Sequence, residues 1–116
     1  MIKYKTMFYH FIYLNYKIME LKIQIHTPDE AKAVVERLTW ENLNQKLKSY
    51  LNKLDWEDVE WIVDVKIDKN KKGLFDGILQ INIDGKSFRY SREDYKNLDD
   101  LVNNLFDHFK QELSDK

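Results

Sequence analysis

The sequence predicts an α+β domain. The expected form is a two-layer sandwich of order β-α(α)-β-β-β-α, with helices packed on one face of a mainly antiparallel four-stranded sheet. Three observations predict it. Val59, Trp61, Val63, Val65 and Ile67 alternate with Glu60, Asp64, Lys66 and Asp68, the period of two of a half-buried strand. Phe75, Leu79, Ile81 and Ile83 repeat the pattern, and Asp84-Gly85 follows, a dipeptide suited to the two positive-φ positions of a type I′ hairpin turn. Finally, Leu98, Leu101, Val102, Leu105, Phe106, Phe109 and Leu113 fall within about 120° of arc on a helix. A striped helix and a one-sided sheet must bury their apolar faces against each other.

Residues 1–18 read MIKYKTMFYHFIYLNYKI. Lysines ahead of an aromatic-rich run give the outline of a secretory leader. However, His10 and the tyrosines interrupt the apolar region, and no small-residue cleavage site follows. We expect an N-terminal extension over 1–18, either poorly ordered or docked on the sheet through its aromatics, ahead of one domain over 19–116. Met19 opens that domain's first strand, in which Leu21, Ile23 and Ile25 alternate with Lys22, Gln24 and His26. Thr27-Pro28-Asp29-Glu30 has the composition of a helix start: a capping threonine, proline at the first helical position and glutamate completing a capping box.

The helical region 28–54 does not carry one simple stripe. Ala31, Val34, Val35 and Leu38 cluster on one face, while Leu43, Leu47, Tyr50, Leu51 and Leu54 cluster on another, rotated by about 150°. The switch falls at Thr39-Trp40, so a break there is expected, giving helices 28–38 and 40–54. The alternative is one long helix with a different partner for each half. After the sheet, Ser91–Lys96 reads as polar connection. Asn97 reads as the cap of the last helix, with Asp99 and Asp100 near its positive end. In the predicted hairpin Ile81 stands opposite Phe88 and Leu79 opposite Tyr90 on the apolar face, with Gln80 opposite Arg89 and Asn82 opposite Ser87 on the other.

At 116 residues the chain makes one domain with a modest core. It has no cysteine, hence no disulfide, no thiolate metal site and no cysteine nucleophile, which suits a cytoplasmic protein. No apolar run approaches the roughly 18 residues of a membrane span. The net charge of −1 indicates no whole-molecule attraction to nucleic acid, so any polyanion site must be a local patch.

Few residues suggest catalysis, and we expect no enzyme, no metal and no small-molecule cofactor. His10, His26 and His108 lack metal-ligand spacing, and no serine stands in a nucleophile elbow. Asp68-Lys69-Asn70-Lys71-Lys72-Gly73 opens like a calcium loop, but Lys72 and Leu79 occupy positions that need oxygen ligands; a hairpin turn is the better account. Trp40, Trp56 and Trp61 are expected to pack in the core or at a hinge rather than to stack on a ligand. The basic side chains remain. Lys69, Lys71 and Lys72 crowd a hairpin tip, Lys22, Lys66 and Arg89 can project from the polar sheet face, and Lys46 and Lys53 share one helix flank. Such groups contact phosphates; they also keep sheets soluble and blunt their edges.

The element order and the last helix, Asn97-Leu98-Asp99-Asp100-Leu101-Val102-Asn103-Asn104-Leu105-Phe106-Asp107-His108-Phe109, resemble the ribosome hibernation-promoting factor family. In that family the segment reads D-M-Y-A-A-I-D-x-L-x-D-K-L. Leu98, Val102, Leu105, Asp107 and Phe109 match in kind, and Asn103 and His108 approximate an acid and a base. Leu43, Leu47, Tyr50, Leu51 and Leu54, with Lys46 and Lys53, fit the family's lysine-bearing first helix. The resemblance implies a non-enzymatic cytoplasmic translation regulator of the stress response, which binds the rRNA of the small ribosomal subunit. The family's basic tail is replaced here by the near-neutral Lys110–Lys116. An RNA contact therefore falls on Lys46, Lys53, Lys69, Lys71, Lys72 and Arg89. The alternative is a protein-interaction module of the same fold, with a protein partner and no nucleic acid. A continuous positive stripe would favour the first and alternating signs the second.

Overall fold

The computed structural model describes residues 3–14, 17–51, 60–83 and 85–114, with side chains described over 22–44, 60–83 and 85–112. In chain order the elements are β1 (Lys3–Leu14), β2 (Lys17–Pro28), a 3-10 turn (Asp29–Ala31), α1 (Lys32–Leu51), β3 (Glu60–Lys69), β4 (Phe75–Ile83), β5 (Lys86–Tyr95) and α2 (Leu98–Ser114). The fold is α+β as expected. The strands lie in the order β1-β2-β3-β4-β5. β2 and β3 pair in parallel and every other neighbour is antiparallel. The parallel pair follows from its connection, because α1 supplies the long crossover that parallel strands need.

One face of the sheet is apolar by alternation. Ile23 and Ile25, Trp61, Val63, Val65 and Ile67, Leu79, Ile81 and Ile83, and Phe88 and Tyr90 are buried there, against Val35, Leu38 and Leu43 of α1 and Leu101, Val102, Leu105, Phe106 and Phe109 of α2. Phe109 is the anchor of α2, meeting Trp61 edge-on at 6.0 Å and Phe88 at 5.4 Å between ring centroids. Such pairs contribute about 0.5–1.5 kcal/mol beyond their area. The hairpin forms in the predicted register, with Ile81↔Phe88, Leu79↔Tyr90, Gln80↔Arg89 and Asn82↔Ser87, and Gly85 takes φ +83° at its turn.

Four expectations are corrected. The sheet has five strands rather than four, because residues 3–14 of the expected extension pair along β2 from Lys3↔Pro28 to Leu14↔Lys17. Aromatic residues favour strands, but in 1–18 they occupy both parities, which hid the alternation. The capping box does not form. Thr27 and Pro28 remain in β2, no side chain caps the turn, and the Thr27 hydroxyl is buried without a hydrogen-bond partner. Residues Ser91–Tyr95 are strand rather than connection; a one-residue bulge between the Gly77↔Arg92 and Phe75↔Tyr95 pairs accommodates them, with Asp94 at φ +62°.

The fourth correction concerns Thr39-Trp40, where α1 runs on without a break. Among its described side chains the buried positions are Val35, Leu38, Thr39, Asn42 and Leu43, a continuous i, i+3, i+4, i+7, i+8 stripe. Two members of that stripe are polar, so a count of apolar residues alone sees it jump. The Asn42 amide donates to the Leu38 carbonyl and to Asn103 Oδ1 of α2, both at 2.8 Å. A seam position can therefore be polar at modest cost.

Candidate functional site

The helices leave the second face of the sheet open. Its positions are Lys22, Gln24 and His26 on β2, Ile62, Asp64, Lys66 and Asp68 on β3, Asp76, Ile78, Gln80 and Asn82 on β4, and Ser87, Arg89 and Ser91 on β5. None of them is buried. The register aligns them in rows: His26 beside Lys66, Ile78 and Ser91, and Gln24 beside Asp64, Gln80 and Arg89. Near the centre His26, Asp64, Lys66, Ile78, Gln80 and Arg89 line a shallow concavity of about 360 Å³.

Charge on this face is mixed and loosely paired. Lys22 Nζ is 3.3 Å from Glu60 and His26 Nε2 is 3.9 Å from Asp64. Arg89 donates to Gln80 Oε1 at 3.5 Å and Gln80 donates to Ser87 Oγ at the same distance. Among the described residues Lys66 and Arg89 have no carboxylate within salt-bridge range. Exposed pairs like these contribute about 0–1 kcal/mol, so the cations remain available to an incoming anion.

The β3–β4 hairpin tip carries the lysine cluster. Asn70 organises it: its side-chain oxygen accepts the backbone N–H groups of Lys72 and Leu74, and its amide donates to Asp76 and Asp94. Gly73 takes φ +80° and donates to the Asn70 carbonyl. Asp68–Gly73 is thus the end of β3 and the hairpin turn that follows it. Lys72 Nζ lies 3.2 Å from Asp94, tying the tip to the bulge, and Lys69 Nζ stands 6.0 Å over the Phe75 ring. Lys71 is exposed.

The sequence-predicted set is therefore divided. Lys69, Lys71 and Lys72 share the tip, whereas Arg89 belongs to the open face. The row of Asp68 and Asp76 lies between them. Lys46 lies on α1, in the other layer, with its side chain outside the described residues; Lys53 is outside them altogether. Sequence reasoning saw Lys66 on the polar face but did not join it to His26. That neighbourhood depends on the parallel β2–β3 register, which no turn motif announces. Of the tryptophans, Trp61 is core as expected, Trp40 is exposed, and Trp56 lies outside the described residues.

A second polar cluster sits where β5 meets α2. Arg92 donates to Asn104 Oδ1 at 2.8 Å and contacts His108 Nδ1 at 3.0 Å. A guanidinium only donates, so His108 Nδ1 is the acceptor in that contact. The His108 ring lies 4.5 Å from that of Tyr90. The Tyr90 hydroxyl is buried without a well-formed hydrogen bond. Burial, and then the Glu112 carboxylate, push its phenol above the ordinary range.

No family model, curated protein or solved structure matches this chain. No helix among the described residues is long and apolar enough to cross a membrane.

Proposed function

We propose that the protein is a non-enzymatic, cytoplasmic RNA-binding regulator that associates with the small ribosomal subunit, in the manner of the hibernation-promoting factors it resembles. The observation that carries this reading is the stretch 17–114. It has the β-α-β-β-β-α order, and the helix stripe bearing the residue-level likeness, Leu98 to Phe109, is seated on the sheet. This is an argument from fold and pattern, and the chemistry rests on local cations. The family's basic tail being absent, Lys46, Lys53, the hairpin tip and Arg89 supply the phosphate contacts.

The test is sedimentation of the purified chain with small ribosomal subunits in sucrose gradients at two salt concentrations. Binding at low salt and release at high salt are expected. Lys46→Gln with Lys53→Gln should weaken association without moving the melting temperature. A chain that stays at the top of every gradient ends this reading.

A second reading is favoured by the alternation of charge. Lys66 and Arg89 flank Asp64, and the acidic row of Asp68 and Asp76 parts them from the hairpin tip. A mixed-sign face suits a protein partner of complementary pattern. Absence from ribosomal fractions, together with a salt-sensitive protein complex lost on Arg89→Glu, would establish it.

A further inference from the structure

We infer that the open sheet face is a seat for single-stranded RNA, with Lys66 and Arg89 as phosphate contacts and Asp64 as the group that limits affinity. This rests on the RNA-binding reading and adds to it the strand state of the RNA and the residues that hold it. Three observations carry it. Lys66 and Arg89 are exposed, line one concavity and have no ion-pair partner among the described residues. Partly exposed Ile78 lines the same concavity and partly exposed Ile62 lies in the next row of the face, so the surface offers apolar contact beside the cations. The register extends the same rows onto β1, setting Lys5 beside His26 and Tyr9 beside Lys22. Cations that track a phosphate backbone, beside surface on which bases can rest, are the parts of a single-strand platform. A duplex hides its bases and would leave Ile62 and Ile78 unused.

Asp64 gives the inference its sharpest consequence. It sits in the row of Gln80 and Arg89 and 3.9 Å from His26, where its charge opposes a phosphate. Removing that charge should tighten binding, which a merely solubilising set of lysines would not produce.

The experiment is fluorescence anisotropy with a labelled, unstructured RNA 12-mer and the same strand annealed to its complement. The full chain is compared with Lys66→Gln/Arg89→Gln, Asp64→Asn, and Lys69→Gln/Lys71→Gln at the tip. All these positions are at least partly exposed, and unchanged thermal melts check the fold. The parent should prefer the single strand. The Lys66/Arg89 variant should bind about tenfold or more weakly at low salt, its slope of log affinity against log salt flattened by about 1.4, or roughly 0.7 for each lost contact. Asp64→Asn should bind more tightly, and the tip variant, whose lysines lie outside this seat and serve other contacts on the ribosomal RNA, nearly as the parent. Unchanged binding by the Lys66/Arg89 and Asp64 variants, or preference for duplex, overturns the inference. Loss of binding only in the tip variant does so too, while leaving the RNA-binding reading intact. A parent that sediments with small subunits but binds neither RNA form overturns this inference alone; a parent that does neither overturns both.

Discussion

The two helices solve one problem in different ways. α2 packs over β4 and β5 and against α1, and every described residue of its buried stripe is apolar: Leu101, Val102, Leu105, Phe106 and Phe109. α1 packs over β2 and against α2. Its stripe is equally continuous but contains Thr39 and Asn42, both buried. Where a helix turns its buried residues to the sheet, burial demands apolar side chains, and the periodicity is plain in the sequence. At the seam between the two helices a polar side chain can serve when a partner is supplied from across it, as Asn103 is for Asn42, whereas the Thr39 hydroxyl is buried without a hydrogen bond. Apolar periodicity then understates how much of the helix is core.

That contrast can be broken or sharpened by substitution. The largest effect is expected at the apolar helix. Phe109→Ala removes the ring that packs on Trp61, Phe88 and Tyr90 and should cost about 3–5 kcal/mol by urea denaturation. At the polar seam, Asn42→Ala should cost about 1–3 kcal/mol by leaving the Asn103 side chain short of a partner. A double-mutant cycle with Asn103→Ala should return a coupling of at least about 0.5 kcal/mol. Zero coupling would make the seam polar by tolerance rather than by pairing.

Gly77 tests how closely α2 approaches the sheet. A Cβ there would stand 3.0 Å from Ile67 Cδ1 and 3.1 Å from both Leu101 methyls. Those are ends of side chains able to shift, so Gly77→Ala should cost about 1 kcal/mol, the low end of overpacking. The smallest effect at neutral pH is expected at Tyr90. Its buried hydroxyl has no well-formed hydrogen bond, so Tyr90→Phe should leave stability at pH 7 within about 0.5 kcal/mol of the parent. At alkaline pH the two should part. The phenol is raised in the fold above its ordinary 10.0, so the unfolded chain releases the proton first. The stability linked to Tyr90 is complete below that value and falls as pH climbs past it. Denaturation midpoints at pH 7 and about 11 should show the parent losing stability relative to Tyr90→Phe; equal losses would remove Tyr90 as the cause.

Of the candidate site, the sequence alone placed Arg89 opposite Gln80 on the polar face and Lys69, Lys71 and Lys72 at a hairpin tip. Each follows from alternation and a two- to five-residue turn. It did not show that Lys72 is held by Asp94. That contact depends on the bulge at the end of β5, where a polar run, Ser91–Lys96, looked like connection. Nor did it show His26 beside Lys66, because β2 and β3 are joined through a whole helix and their relative register is settled by packing.

What the sequence by itself determined is therefore local. It specified the alternating strands, the Asp84-Gly85 hairpin with its register, and the stripe of α2, for these depend on neighbours a few residues away. The tertiary structure decided the rest. It kept α1 whole through Thr39-Trp40, added β1 to the sheet edge, paired β2 with β3 in parallel, and so gathered His26, Asp64, Lys66, Gln80 and Arg89 on one open face. The physical reason is common to all four outcomes. Each is set by pairing or burial between segments distant in the chain, and a polar residue with a partner across such a contact leaves no apolar mark in its own neighbourhood.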